Sequence, residues 1–159
     1  MADLPHLTAT GAAHMVDVGE KEKTHRVAIA EGYLEMSPAA LTALVEGNLK
    51  KGDALAAARI AGIMAAKRTW ELVPLCHPVA LTHLEVEVEP VPERVAVRCR
   101  ARAETRERTG VEMEALTAVQ VALLTVYDMC KAIDKGMRIT DVGLVHKSGG
   151  RSGTWQRQG

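Results

Sequence analysis

Between residues 24 and 36 the chain alternates, with Val27, Ile29 and Tyr33 set against Arg26, Ala28 and Ala30, and this predicts a strand. Two more alternating runs follow later. Residues 81–89 place Leu84, Val86 and Val88 against His83, Glu85 and Glu87, and residues 94–106 carry Val95, Val97, Cys99, Ala101 and Ala103 on one side. Together they predict a hairpin across residues 89–93, and residues 138–146 predict a last strand. Ser37-Pro38 supplies an N-cap followed by proline at the first helical position, opening a helix to about residue 46 that Gly47-Asn48 stops. A second helix runs from Ala54 to about Arg68 with Asp53 as its cap. Its many alanines and single glycine leave little bulk, so another backbone can approach closely. Residues 72–78, Leu-Val-Pro-Leu-Cys-His-Pro, are bracketed by prolines and cannot be regular helix.

Residues 109–136 read as one long helix with no charge between Ala115 and Tyr127. Leu116, Val119, Leu123, Val126 and Cys130 form one apolar face; Glu114, Thr117, Val121, Leu124, Asp128, Lys131 and Lys135 fall roughly opposite. A helix apolar on both sides is normally buried on both sides, which puts the charges continuing the second face at the edge of a cleft or a subunit contact. The same residues also fit a plainer pattern. Thr109-x-x-Glu112 matches a capping box, and Asp128 and Lys131 are spaced for a weak surface pair.

The order strand, helix, helix, strand, strand, long helix, strand predicts an α+β sandwich, an antiparallel sheet with helices packed on one face and a ferredoxin-like arrangement as the closest common architecture. Residues 1–14 read as a flexible N-terminal arm, 15–146 as a single α+β catalytic domain and 147–159 as a glycine-rich tail.

At 159 residues the chain is long enough for a real core, and 47% hydrophobic residues favour a folded protein. Lys plus Arg balance Asp plus Glu at 20 each, and there is no Phe, so neither a basic field nor stacking aromatics support nucleic-acid binding. Cys76, Cys99 and Cys130 are odd in number and form no CxxC pair, which gives little support to a zinc site. No secretory h-region opens the chain and no run approaches a membrane span of roughly 20 apolar residues. A reduced cytoplasmic compartment, with no membrane association, is the expectation.

Several residues carry candidate chemistry. Lys51 stands just before the second helix, where the dipole would repel it unless an anion is present. Lys67 closes the same helix, where a cation is favoured on structural grounds alone. Cys76-His77 lies between prolines; His77 suits proton transfer near neutral pH, while the pair also fits core filler with a hydrogen-bonded ring. Lys147, Ser148, Arg151 and the neighbouring glycines offer donors to an anion without the spacing of a P-loop, and a flexible terminus is the simpler alternative.

Five segments occur in a telling order: MVDVGEK at 15–21, GDALAAARIAGIMAAKRT at 52–69, LVPLCHP at 72–78, TGVEMEALTAVQVALLTVYDMCKAIDKGM at 109–137 and KSGGRSG at 147–153. They closely resemble the family of molybdenum cofactor biosynthesis protein C, the cyclic pyranopterin monophosphate synthases, over nearly the whole chain. Trp70, where a small polar residue is expected, and Glu107, where glycine is common, depart from the pattern beside the motifs. The resemblance implies a homohexamer built as a trimer of dimers, with active sites at the dimer contact. It implies as substrate 3′,8-cyclo-7,8-dihydroguanosine 5′-triphosphate, rebuilt into a cyclic pyranopterin monophosphate with release of pyrophosphate. Asp128 matches the active-site acid, Lys131 its neighbouring lysine, and Lys51 a catalytic lysine. Leu75, Cys76, His77, Met113 and Glu114 match substrate-binding positions. Glu112, Lys67 and Lys147 match charged positions, and Arg26 and Lys21 are expected to meet the triphosphate. Proton transfer would then draw on Asp128, His77, Lys51 and Lys131 in one cleft, with at least one lysine lowered in pKa by burial. No essential cofactor or metal is implied, though Mg²⁺ can accompany the triphosphate. The alternative is a non-catalytic hexamer that binds a nucleotide or pterin precursor; a metal-dependent hydrolase is a further rival.

Overall fold

The computed structural model describes residues 4–49 and 51–159; the first three residues of the predicted arm lie outside them. Strand β1 spans Thr24–Glu35, helix α1 Pro38–Val45, α2 Ala54–Lys67, and the single turn α3 Thr69–Leu72. Strands β2 (Leu81–Val91) and β3 (Ala96–Glu107) follow, then α4 (Glu112–Cys130), β4 (Arg138–Ser148) and a two-residue β5 (Trp155–Gln156).

The five strands form one antiparallel sheet in the order β2-β3-β1-β4-β5. The first four strands with their helices give the β-α-β-β-α-β pattern and strand order of a ferredoxin-like fold. The two predicted helix starts form as read: the Ser37 hydroxyl accepts from the Ala40 N–H (3.2 Å), and the Asp53 carboxylate from the Ala56 N–H (3.0 Å). The hairpin is tighter than predicted. Strand β2 continues to Val91, a short 3-10 turn covers Pro92–Arg94, and Val95 takes a left-handed conformation (φ 52°) to re-enter the sheet.

Helices α2 and α4 lie against the sheet and against each other. The alternation of β1 did not say which of its faces is inside. The small row, Ala28, Ala30, Gly32 and Leu34, faces the core, while Ile29, Glu31, Tyr33 and Glu35 stay partly exposed. Small side chains let α4 come close: a Cβ on Gly32 would sit 3.0 Å from Val119 Cγ1 and 2.6 Å from Val142 Cγ2. Gly62 plays the same part between helices, since its Cβ would stand 3.0 Å from the Ala118 carbonyl and 3.3 Å from Ala122 Cβ. The expected close backbone approach at α2 is therefore real.

The long helix is shorter than its pattern suggested, and two predicted features change. Its N-cap is Val111 with no side-chain cap, so the Thr109/Glu112 capping box does not form. Glu112 folds back over Gly110 and pairs with Lys147 instead (2.7 Å), an ion pair outweighing a solvent-exposed cap. At the other end the helix stops at Cys130 and residues 131–137 form a turn. Moreover, only one side of α4 is buried within the chain. Ala115, Ala118, Val119, Ala122, Leu123 and Val126 are inside, while Leu124 remains 56% exposed. Among the described residues α4 alone is long and apolar enough to cross a membrane; here it packs on the sheet as a core helix.

Candidate active site

The candidate residues gather at the two ends of α4. At its C-terminal end Asp128 is clamped by two lysines. Lys131, one turn on, donates to Asp128 Oδ1 (2.8 Å), and Lys51, from the turn before α2, donates to Oδ2 (2.8 Å) and to the Asp128 carbonyl (3.3 Å). The anion that Lys51 required beside a positive helix N-terminus is thus the carboxylate and the negative end of the neighbouring helix. Hydrogen bonds from Lys131 first, and Lys51 second, hold the Asp128 carboxyl down at about 2. It is therefore ionised at neutral pH, suited to accept a proton or orient a cation rather than to donate. The three side chains are half-exposed and line an open cavity of about 500 Å³ with Asn48, Leu49, Met129 and Lys135.

The expectation of a buried lysine with a lowered pKa does not hold here. The Asp128 carboxylate raises Lys131 instead. Among the described residues the lysine that is lowered is Lys21, through burial first and then the neighbouring charges of Arg26, Arg151 and Lys147.

At the N-terminal end of α4, Glu114 is 3% exposed and one of its oxygens, Oε1, has no partner. The other accepts a long contact from the Cys76 thiol (3.9 Å). Burial pushes the Glu114 carboxyl up to about 7, and Glu112 nearby adds to the shift. Cys76 is pushed up to about 11 by burial, with the charges of Glu114 and Glu112 behind it. It is a neutral thiol at pH 7 and no nucleophile. The segment carrying it, with Val73, Pro74, Leu75, Met113, His6 and Ala13, walls an apolar cavity of about 540 Å³. His77 Nε2 donates to the Val16 carbonyl (2.5 Å), tying residues N-terminal to β1 onto this loop.

Next to Glu112 and Lys147 lies a pocket of about 370 Å³ lined by Glu20, Lys21, Glu22, Thr24, Arg26, Gly150 and Arg151, its three cations leaving it net cationic against two carboxylates. Arg26 is buried, and its guanidinium donates to the carbonyls of Glu107 (2.9 Å) and Arg108 (3.2 Å). The Thr24 hydroxyl is buried there without a partner. The glycines of the KSGG run are sterically required. A Cβ on Gly149 would lie 2.1 Å from the His25 carbonyl, and one on Gly150 2.2 Å from Arg26 Nη1, both at positive φ. Lys67 ends α2 on the exposed surface; since α2 runs opposite to α4, it stands at the Glu114 end.

Fourteen residues of helix, about 21 Å, separate Glu114 from Asp128. The single cleft expected for Asp128, Lys51, Lys131 and His77 is therefore not formed within one chain. Asp128, Lys51 and Lys131 meet; His77, Cys76 and Glu114 form a second group. Thr24, an isolated hydroxyl, carries no signal in the sequence, whereas Lys135 lies four residues past Lys131 on the same row. Among the described residues no three His, Cys, Asp or Glu side chains are placed to share a metal ion.

A ferredoxin-like chain presenting a lysine-clamped carboxylate, a buried carboxyl poised near neutrality and a glycine-walled cationic pocket carries groups that can transfer protons and hold an anionic small molecule. The model of the MoaC family matches residues 15–150, and the chain belongs to that family. It is 58% identical over 158 residues to the cyclic pyranopterin monophosphate synthase of Thermomicrobium roseum, covering 99% of this chain and 95% of that one. It is 60% identical over 152 residues to the synthase of Rhodospirillum rubrum, covering 96% and 92%.

Proposed function

We infer that this chain is a cyclic pyranopterin monophosphate synthase of molybdenum cofactor biosynthesis. It takes 3′,8-cyclo-7,8-dihydroguanosine 5′-triphosphate, rearranges the ring system, closes a cyclic phosphate and expels pyrophosphate. The observation that carries the reading is the Lys51–Asp128–Lys131 clamp in a chain so similar, end to end, to proteins of that name.

The chemistry follows from the charge states. Opening and reclosing a purine-derived ring needs several proton transfers. Asp128, ionised at neutral pH, fixes the two ammonium groups that serve as donors and accepts a proton only late, as charge develops. Glu114, with a pKa of about 7, is the group best matched to carry a proton back and forth. Leu75, Cys76, His77 and Met113 shape the apolar wall for the ring. Lys21 and Arg26, with Glu112-paired Lys147 beside them, take up the triphosphate and steady the departing pyrophosphate. Lys67 adds a cation at the same end.

The working site is completed between two copies at a dimer contact. What supports this is the outward stripe of α4, which joins the two groups and stays uncovered at Met113 (39% exposed) and Leu124 (56%), with Ile60 and Met64 open on α2. A two-fold axis near the middle of α4 brings the Asp128 end of one copy against the Glu114 end of the other. Three such dimers form a hexamer in the cytoplasm. The reaction needs no resident metal, and Mg²⁺ enters only with the triphosphate.

The test is product analysis after mixing purified protein with the cyclised GTP intermediate. Cyclic pyranopterin monophosphate and an equal yield of pyrophosphate are expected. Binding with the intermediate returned unchanged would make the protein a binding module instead. Mixing inactive Asp128 and Glu114 variants tests the shared site, because active heterodimers form only when each copy supplies one half.

A further inference from the structure

The Asp128 cavity contains a cation with no task in the scheme above. Its charged side chains are Lys51, Lys131, Lys135 and Asp128, two more positive charges than negative. Lys51 and Lys131 each spend a donor on the carboxylate. Among the described residues no carboxylate pairs with Lys135, which keeps all three ammonium donors for something else. The turn that carries it is fastened around Lys135 itself. The Tyr127 hydroxyl donates to the Lys135 carbonyl (2.8 Å). Asp134 accepts from the Ser37 N–H through Oδ2 and from the Gly136 N–H through Oδ1, each at 2.8 Å. That carboxylate ties the turn to the start of α1. Fastening of this kind lowers the entropy lost when a ligand is held.

We propose that Lys135 is a third substrate-binding cation of this cavity, presented by a fastened turn, and that it takes a phosphate oxygen of the substrate. The proposal rests on the cavity being part of the active site. An uncompensated ammonium at a cavity rim matches a phosphate as a point charge, without the bidentate geometry an arginine would impose. Lys51 and Lys131, tied to Asp128, are reserved for proton chemistry, while Lys135 contributes binding. Tyr127 and Asp134 are positioning residues that act through it.

The experiment is steady-state turnover of the cyclised GTP intermediate by the full-length K135Q and K135R variants, with added pyrophosphate as inhibitor. Losing one charge-assisted contact predicts a KM for K135Q raised roughly ten- to a hundredfold. The pyrophosphate inhibition constant should rise in parallel, with kcat held within about threefold. K135R should recover most of the affinity, and Y127F should fall between it and K135Q. An unchanged KM and pyrophosphate inhibition in K135Q, or a loss confined to kcat, overturns the proposal. Asp128→Asn run alongside separates the two levels: its full activity would remove the cavity from the active site, whereas an inactive D128N with a normal K135Q removes only Lys135.

Discussion

Replacing Glu114 by glutamine removes the one deeply buried carboxyl among the described residues while keeping its shape. Burial raises this carboxyl from an ordinary 4.5 to about 7 in the folded protein. Below 4.5 both folded and unfolded chains are protonated, and the group has no effect on the balance. Between 4.5 and about 7 the folded chain holds a proton that the unfolded chain has released, so stability falls as pH rises through that window and levels off above it. The full shift corresponds to about 3 kcal/mol, or roughly a few hundredfold in the folding equilibrium. Glu114→Gln should therefore match the wild type near pH 4.5 and exceed it by about 3 kcal/mol at pH 8. Urea denaturation at several pH values and one protein concentration reads this directly, because the titrating groups not coupled to Glu114 cancel in the difference. Cys76 gives a second readout. Removing the Glu114 charge lowers its thiol pKa, though burial, the larger cause, remains, so alkylation at pH 8 should quicken. Parallel stability curves for the two proteins from pH 5 to 8 would refute the assignment of Glu114 as a buried, neutral-range carboxyl.

The other expectations are simpler. Asp128→Ala and Lys131→Ala should melt near the wild-type temperature, because all the clamp's side chains are half-exposed, yet lose turnover by roughly a hundredfold or more; wild-type activity in either ends that residue's assignment. Gly150→Ala would press a methyl against the Arg26 guanidinium at a positive φ, so weaker pyrophosphate inhibition is expected, and unaltered inhibition would separate Arg26 from phosphate binding. Gly62→Val should cost about 1–3 kcal/mol by forcing α2 away from α4, measured by urea midpoint, with a neutral result showing that the helices are not in tight contact.

Much of this architecture was legible along the chain because its causes are local. Ser37-Pro38 and Asp53 mark the starts of α1 and α2 through contacts spanning three residues. The alternation of β2 sets exposed His83, Glu85 and Glu87 against buried Val86 and Val88, as read. The long helix was visible too, but not its cap, since Glu112 is drawn off by Lys147, thirty-five residues away in sequence. The inward face of β1 was not legible either: both rows contain apolar residues, and only the approach of α4 selects the row with the smaller side chains.

By itself the sequence determined the order of the main elements, though not the short α3 and β5, together with the ferredoxin-like class, the family and the residue types available for proton and phosphate chemistry. Each of these depends on short-range periodicity or on motifs that stand next to each other. The tertiary structure alone decided how the charges behave. It placed Lys51 against Asp128 across seventy-seven residues, raised Lys131, lowered Lys21 and buried Glu114 beside Cys76. It also set the two groups of candidate residues at opposite ends of a helix. Coulomb energies and desolvation depend on distances through space and on what covers a group, and neither is written in the spacing of residues along a chain.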